Sequence, residues 1–316
     1  MTLISPLDWG LGHATRCVPI INDCIKKGEP VILATDGQAL SFLQQEFPNQ
    51  KCIRLKGYSM KYAGGRLLPF VIMLQLPFFA LSICLEHRRL KRIIRTYGID
   101  KVISDNRYGL WDKNVQSIIV THQLYIQLPK WLNAFKRPLH VFTAHLLHRF
   151  NEIWVPDYAD ASKSLSGALS HNGALDNEVR YIGPLSRFTD DVKCEDAKVP
   201  DVLLLLSGPG RQKRVFAKQM LKKLQNSKKS ILVAGAEPNQ KYQITNGNIL
   251  AVSHISTQKL NYLLLSTPQI IARSGYSTIM DLHILRREAM LYPTPGQWEQ
   301  EYLSNMQKSP QKRHFK

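Results

Sequence analysis

Ser5-Pro6-Leu7-Asp8-Trp9-Gly10-Leu11-Gly12-His13-Ala14-Thr15-Arg16 stands directly after the apolar run Thr2-Leu3-Ile4 and directly before a stretch of helical periodicity. A short strand, a glycine loop and a helix N-terminus in that order open a mononucleotide-type α/β unit. The glycine lets backbone approach a ligand, and the first helical turn offers bare N–H groups and a positive dipole end. Three further segments repeat the device: Ser207-Gly208-Pro209-Gly210, Arg273-Ser274-Gly275-Tyr276-Ser277-Thr278 and Pro295-Gly296-Gln297-Trp298-Glu299-Gln300. Each follows an apolar, β-rich run and precedes a helical pattern. Their presence in both halves of the chain predicts two such folds facing one cleft.

Working outward, strands fit residues 2–5, 31–35, 52–55, 101–104, 116–121 and 152–155, and helices fit 14–27, 38–46, 81–97 and 130–149. Gly28 and Gly98 fall where helix ends favour a left-handed residue. The strands read as buried on both faces, which predicts a parallel sheet covered by helices. Residues 180–185 form another short strand. The polar stretch 189–200 reads as a linker. After it the rhythm restarts, with strands at 202–206, 230–234, 249–253, 269–272 and 289–292 and helices at 213–225, 257–265, 277–286 and 299–307. The expected fold class is α/β, with two doubly wound Rossmann-like lobes at residues 1–188 and 200–316. The second lobe reads as shortened at its end, because one helix and a basic tail are all that follow Gln300.

A chain of 316 residues, 44% of them hydrophobic, is long enough for two cored domains. Its net charge of +18 favours anionic partners: nucleic acid, acidic lipid or phosphorylated substrates. Nucleic acid is the least favoured, for want of a basic-aromatic stacking run. The five cysteines, Cys17, Cys24, Cys52, Cys84 and Cys194, have neither zinc spacing nor an even count, and a reducing cytosol fits them best. No signal-peptide pattern precedes the first strand. Residues 67–85 are mostly apolar and raise the question of a membrane span, against which Pro69, Gln75, Pro77 and Ser82 all argue. The cations of Arg88-Arg89-Leu90-Lys91-Arg92 follow at once. Apolar surface flanked by such charge would suit peripheral docking on the anionic inner face of a plasma membrane; a buried helix pair is the plainer reading.

The first loop lacks the third glycine of a dinucleotide fingerprint, and no clear acidic residue closes the second strand as a ribose ligand. A histidine at a helix start, His13, is placed to take a proton from a substrate hydroxyl, with Asp105 as second choice of base. Gly10, Gly12 and His122, with Gln123, would line the acceptor and phosphate side. In the second half, Ser207, Gly208, Ser274, Gly275, Ser277 and Thr278 would hold a diphosphate, with Arg211 and Arg273 nearest in charge. Asp281, one to two turns into its helix, would accept from ribose hydroxyls. Gln297 and Gln300, beside Glu299, would orient sugar hydroxyls. Capping and structural histidines are the simpler roles for each of these residues taken singly. No Asp-x-Asp pair is present, so no metal and no other cofactor is expected, and a leaving diphosphate falls to helix dipoles and arginines.

The order of these motifs resembles the GT-B glycosyltransferases of family 28. Ser5–Arg16 as quoted, Ser104-Asp105-Asn106-Arg107-Tyr108-Gly109 and residues 273–282 resemble an uncharacterised group of bacterial glycosyltransferase-like proteins. The resemblance runs to Leu303. It implies donor nucleotide, a UDP-sugar, in the second lobe, and an acceptor hydroxyl, lipid-linked in the type enzymes, in the first. It also implies an inverting transfer without a metal. By position, Asp281 takes the ribose-binding place that is commonly Glu in the family, and Gln297 and Gln300 match its sugar-contacting carboxamides. The glycine run at Trp9-Gly10-Leu11-Gly12 is shorter than in the peptidoglycan enzymes. A UDP-sugar epimerase of similar fold and a non-catalytic relative that binds anions or membranes are the alternatives.

Overall fold

The computed structural model of the chain describes residues 1–57, 68–128, 130–171, 179–192, 198–208 and 210–308. The basic tail from 309, the middle of the linker with Cys194, Leu67 and Pro209 lie outside the described residues.

The first sheet holds β1 (Thr2–Pro6), β2 (Val31–Thr35), β3 (Lys51–Arg54), β4 (Lys101–Asp105), β5 (Gln116–Val120), β6 (Glu152–Val155) and β7 (Val179–Tyr181), in the spatial order 3-2-1-4-5-6-7. Every pairing in it is parallel. Consecutive residues along each strand feed opposite cores, as a period of two requires. Ile4, Leu33 and Ile103 pack under α1 (Leu11–Lys26) and α2 (Gly37–Glu46), whereas Leu3, Ile32 and Val102 pack with Leu90 of α3 (Leu68–Tyr97). Full burial of each such side chain contributes about 2 kcal/mol.

The second sheet holds β8 (Val202–Leu205), β9 (Ile231–Ala234), β10 (Gln243–Asn246), β11 (Ile249–Val252), β12 (Gln269–Arg273) and β13 (Met290–Tyr292), in the order 10-11-9-8-12-13. It is parallel except for the β10–β11 hairpin. The same alternation divides Leu203 and Ile270 from Val202, Leu204 and Ile271; the latter set packs on Phe216 and Met220 of α5 (Gly210–Leu224). Three more helices complete the lobe: α6 (Thr257–Ser266), α7 (Tyr276–Ile284) and α8 (Trp298–Lys308). In the first lobe α4 (Lys136–Leu147) follows a 3-10 turn.

Three elements differ from expectation. β10 is not among the expected strands; its four residues are all exposed and polar-rich, and Gly247, at φ 60°, lies in the turn to β11. α3 begins thirteen residues before the expected start at 81 and carries Pro77 through its interior. Pro69 costs it nothing, since N–H groups of a first turn have no helical partner. The helix expected at 130–149 becomes α4 only from Lys136, with Pro138 in its first turn. Among the described residues, no helix is long and apolar enough to cross a membrane.

Strand order reverses direction beside β1 and β4 in one sheet and beside β8 and β12 in the other. In doubly wound sheets ligands bind at the carboxyl ends of such strands. The two switch points meet. α7 and α8 of the second lobe pack Tyr276, Ile279, Met280 and Leu303 against Leu165 and Leu169 of the first, forming an apolar cluster across the seam.

Candidate functional site

The seam is lined by the two glycine loops. Gly10 has φ 93° and Gly208 has φ 89°, a region that side-chain-bearing residues rarely adopt. A Cβ on Gly10 would lie 3.6 Å from the Gly208 Cα, so the loops of the two lobes face each other with room for about one added carbon between them. Beside them, Ser277 Oγ at the start of α7 donates to the Gly12 carbonyl at 2.8 Å. A Cβ on Gly12 would stand only 3.0 Å from that hydroxyl. No side chain caps either α1 or α7, whose N-terminal amides therefore front the seam.

One turn into α1 the chemistry concentrates. β4 pairs with β1 so that Asp105 sits opposite Pro6, which places its carboxylate under the first turn of α1. His13 Nδ1 is 3.1 Å from Asp105 Oδ1. Arg16, three residues on and so on the same helical face, donates from Nε to Asp105 Oδ2 at 2.7 Å and from Nη2 to Oδ1. Arg16 Nη2 also lies 3.0 Å from His13 Nδ1, and Nη1 lies 3.4 Å from His122 Nδ1. Burial opposes ionisation of Asp105, but the adjacent Arg16 and His13 outweigh it and hold its carboxyl well below the usual range. Cys17, also against Asp105, has its thiol pushed well up by burial.

The second lobe closes this cluster. Glu299, near the start of α8, accepts from His122 Nε2 at 2.8 Å and from Gln123 Nε2. The Tyr276 ring stacks on the His122 imidazole at 4.0 Å and donates its hydroxyl to the Pro156 carbonyl at 2.7 Å. Burial, reinforced by Arg16, keeps His122 in its neutral form despite Glu299. Burial works against ionisation of Glu299 as well, and the neighbouring His122 and Arg16 overcome it.

On the other face of β4 a separate ion pair braces the loop. Asn106 takes φ 55°, which turns the chain so that Arg107 points away from Asp105. Arg107 then donates to Glu86 Oε1 of α3 at 2.8 and 3.0 Å, to Ser5 Oγ at 3.0 Å and to the Leu55 carbonyl at 3.0 Å.

Of the residues expected from sequence, the structure gathers Gly10, Gly12, His13, Asp105, His122, Gly208 and Ser277 at the seam. Ser207 and Gly275 are part-buried in the adjoining loops and Thr278 is part-buried in the first turn of α7, while Arg211 is exposed on α5. Gln300 Nε2 donates to Gln297 Oε1 at 2.6 Å, its Oε1 accepts from Thr294 N at 2.9 Å, and Gln297 reaches Gln212 at 3.3 Å. These carboxamides hold the turn into α8, and Ser274, fully buried, donates to the Gln300 carbonyl at 2.8 Å.

Two placements correct the expectation. Arg273 stacks its guanidinium 4.0 Å from the Phe216 ring and donates to the Pro293 carbonyl at 2.6 Å, committed to α5 and away from His13. Asp281 accepts from Ser186 Oγ at 2.6 Å, at the edge of the linker, and burial pushes its carboxyl up to about 6 against that bond and the Arg187 charge.

Sequence reasoning passed over Arg16 and Tyr276. A cation among Ala14, Cys17, Val18 and Ile21 on the buried face of α1 was the available signal, because a buried charge requires a partner.

No protein-family profile matches the chain. An uncharacterized glycosyltransferase of Methanosarcina acetivorans is 24% identical over 321 residues, covering 92% of this chain and 79% of its own length. Among solved structures, UGT89C1 of Arabidopsis thaliana, complexed with UDP-L-rhamnose, superposes with a TM-score of 0.55 at 12% identity, over 96% of this chain and 81% of its own. MurG of Acinetobacter baumannii superposes with a TM-score of 0.51 at 13% identity, over 96% and 82%. The curated relative is archaeal, where the motifs resembled a bacterial group, and the fold is shared as fully with the plant transferase as with MurG. The chain has the GT-B fold, and the proteins it is similar to in sequence and in structure are glycosyltransferases.

Proposed function

We propose that the chain moves a sugar from a nucleotide-diphosphate donor, a UDP-sugar first, to an acceptor hydroxyl, with inversion and without a metal, in the manner of family 28. The observation that carries this reading is the His13–Asp105 pair, 3.1 Å apart, beside the facing Gly10 and Gly208 loops. Asp105 accepts a hydrogen bond from His13 Nδ1–H, which leaves Nε2 free to take the proton of the acceptor hydroxyl. The hydroxyl oxygen attacks the anomeric carbon, the bond to the diphosphate oxygen breaks, and the configuration inverts. The departing charge meets the uncapped amides of α1 and α7, together with Ser277 and Thr278. Residues 1–188 then serve the acceptor and 200–316 the donor, with Gln297 and Gln300 toward the sugar. In this reading Asp281 reaches ribose only after leaving Ser186.

An anionic membrane is the proposed place of the acceptor. Phe78, Leu81 and Leu85 are exposed at helical spacing on α3, and Arg88, Arg92 and Arg95 continue that stripe. A lipid-linked acceptor would be met there.

The test is a thermal-shift panel of UDP-, GDP- and TDP-linked sugars, followed by turnover with and without acceptor. A donor that raises the melting point and is consumed only with acceptor supports transfer. Conversion of the donor alone identifies an epimerase, and silence toward every donor favours a non-catalytic binder.

A further inference from the structure

Arg16 is a buried cation that the transfer chemistry does not itself require. Its two parallel donors, Nε and Nη2, grip both oxygens of Asp105 side-on, which fixes the plane of the carboxylate. Its other edge faces His122. For His122 Nδ1 to receive Nη1, that ring must carry its proton on Nε2, where Glu299 Oε1 waits at 2.8 Å. The donors and acceptors therefore form one ordered chain: Glu299 accepts from His122, His122 from Arg16, and Asp105 from both Arg16 and His13.

We infer that Arg16 is the positioning residue of this site: by clamping Asp105 it selects the His13 tautomer with the proton on Nδ1, and through His122 and Glu299 it ties that choice to the docking of the second lobe. This rests on the reading of His13 as the base. The alternative tautomer is close at hand, since Nη2 lies only 3.0 Å from His13 Nδ1. As placed, that nitrogen is within hydrogen-bond reach of both the Asp105 carboxylate and the Arg16 guanidinium; if it accepted from Arg16, Nε2 would carry the hydrogen and be lost as a base, so the hold on Asp105 decides which partner Nδ1 takes. Lysine cannot replace the clamp, because a single ammonium does not hold two oxygens in a plane.

The charged and titratable groups that face Arg16 are Asp105 from β4, Tyr108 in the loop after it, His13 and Cys17 from α1, His122 after β5, Glu299 from α8 and Tyr276 from α7. Within the cluster the Arg16 cation stands against the two carboxylates of Asp105 and Glu299.

The experiment is 15N NMR of the histidine rings at neutral pH without substrate, in the wild-type chain, Arg16→Lys and Glu299→Gln, with kcat, donor KM and the pH–rate profile measured on the same samples. The wild-type His13 is expected to show the Nδ1–H form. Arg16→Lys is expected to mix the two forms and to lower kcat about tenfold or more at unchanged donor KM, and Glu299→Gln to shift the His122 and His13 signals together. A folded Arg16→Lys protein with the wild-type tautomer ratio and pH profile, changed only in melting temperature, would overturn the inference. If Arg16→Lys does not fold, Glu299→Gln, which leaves the Arg16–Asp105 pair intact, decides: unchanged ring signals refute the link. Should no donor be turned over by the wild type, sugar transfer falls while the tautomer ratio still judges Arg16.

Discussion

Gly10 of the first lobe faces Gly208 of the second, each in a positive-φ conformation, and a Cβ on Gly10 would lie 3.6 Å from the Gly208 Cα, so the lobes approach where neither carries a side chain. Gly10→Ala is expected to cost about 1 kcal/mol in strain, and Gly10→Val more. Beyond the stability loss, both should weaken donor protection, because the added atoms occupy the gap between the two loops. Melting temperatures with and without donor check this: equal losses in both conditions would confine the glycine to folding.

Arg273 is expected to matter for stability and not for donor contact. Removing its stack on Phe216 in Arg273→Met should lower stability by about 1–2 kcal/mol while the donor dissociation constant stays within about twofold. Isothermal titration beside chemical denaturation separates the two, and a tenfold weaker donor complex in a stable variant would restore Arg273 to the phosphate.

The buried Asp281 supplies a pH signature. Its folded value, about 6, lies above the usual carboxylate value, so the folded state holds the proton more tightly. Stability from this group is present in acid and lost as pH rises from about 4 through about 6. Asp281→Asn should therefore melt above the wild type at pH 7, with the gap closing toward pH 4. A gap independent of pH would contradict the burial argument.

The stripe on α3 predicts binding to vesicles containing anionic lipid, weakened by salt and by Phe78→Ser with Leu81→Ser. Vesicle flotation reads this directly. Equal binding to neutral vesicles would remove the role of Arg88, Arg92 and Arg95.

The parallel sheets were legible because Leu3-Ile4 and Val202-Leu203-Leu204 are apolar on both faces, a pattern that only doubly covered strands keep. β10 was not, since an exposed strand of Gln243-Ile244-Thr245-Asn246 carries no such pattern, although Asn246-Gly247 signalled the turn. His13, at a helix start, and Asp105, at a strand end, were found as separate candidates for the base; their pairing depends on the β1–β4 register, which one sequence does not state. Arg273 was offered to the diphosphate only because it adjoins a glycine loop. A period of two from Ile271 already sets it against α5, on the face of Phe216. Arg16 lay in plain view, but its carboxylate is 89 residues away in sequence.

The pairing of His13 with Asp105 is tested most directly by single-turnover transfer from the donor that the thermal panel identifies, comparing the wild type with His13→Ala and Asp105→Asn. Loss of about 10²–10⁴ in the rate of the chemical step in both variants, with donor protection retained, is the predicted result. Transfer at the wild-type rate in a folded His13→Ala protein would contradict it.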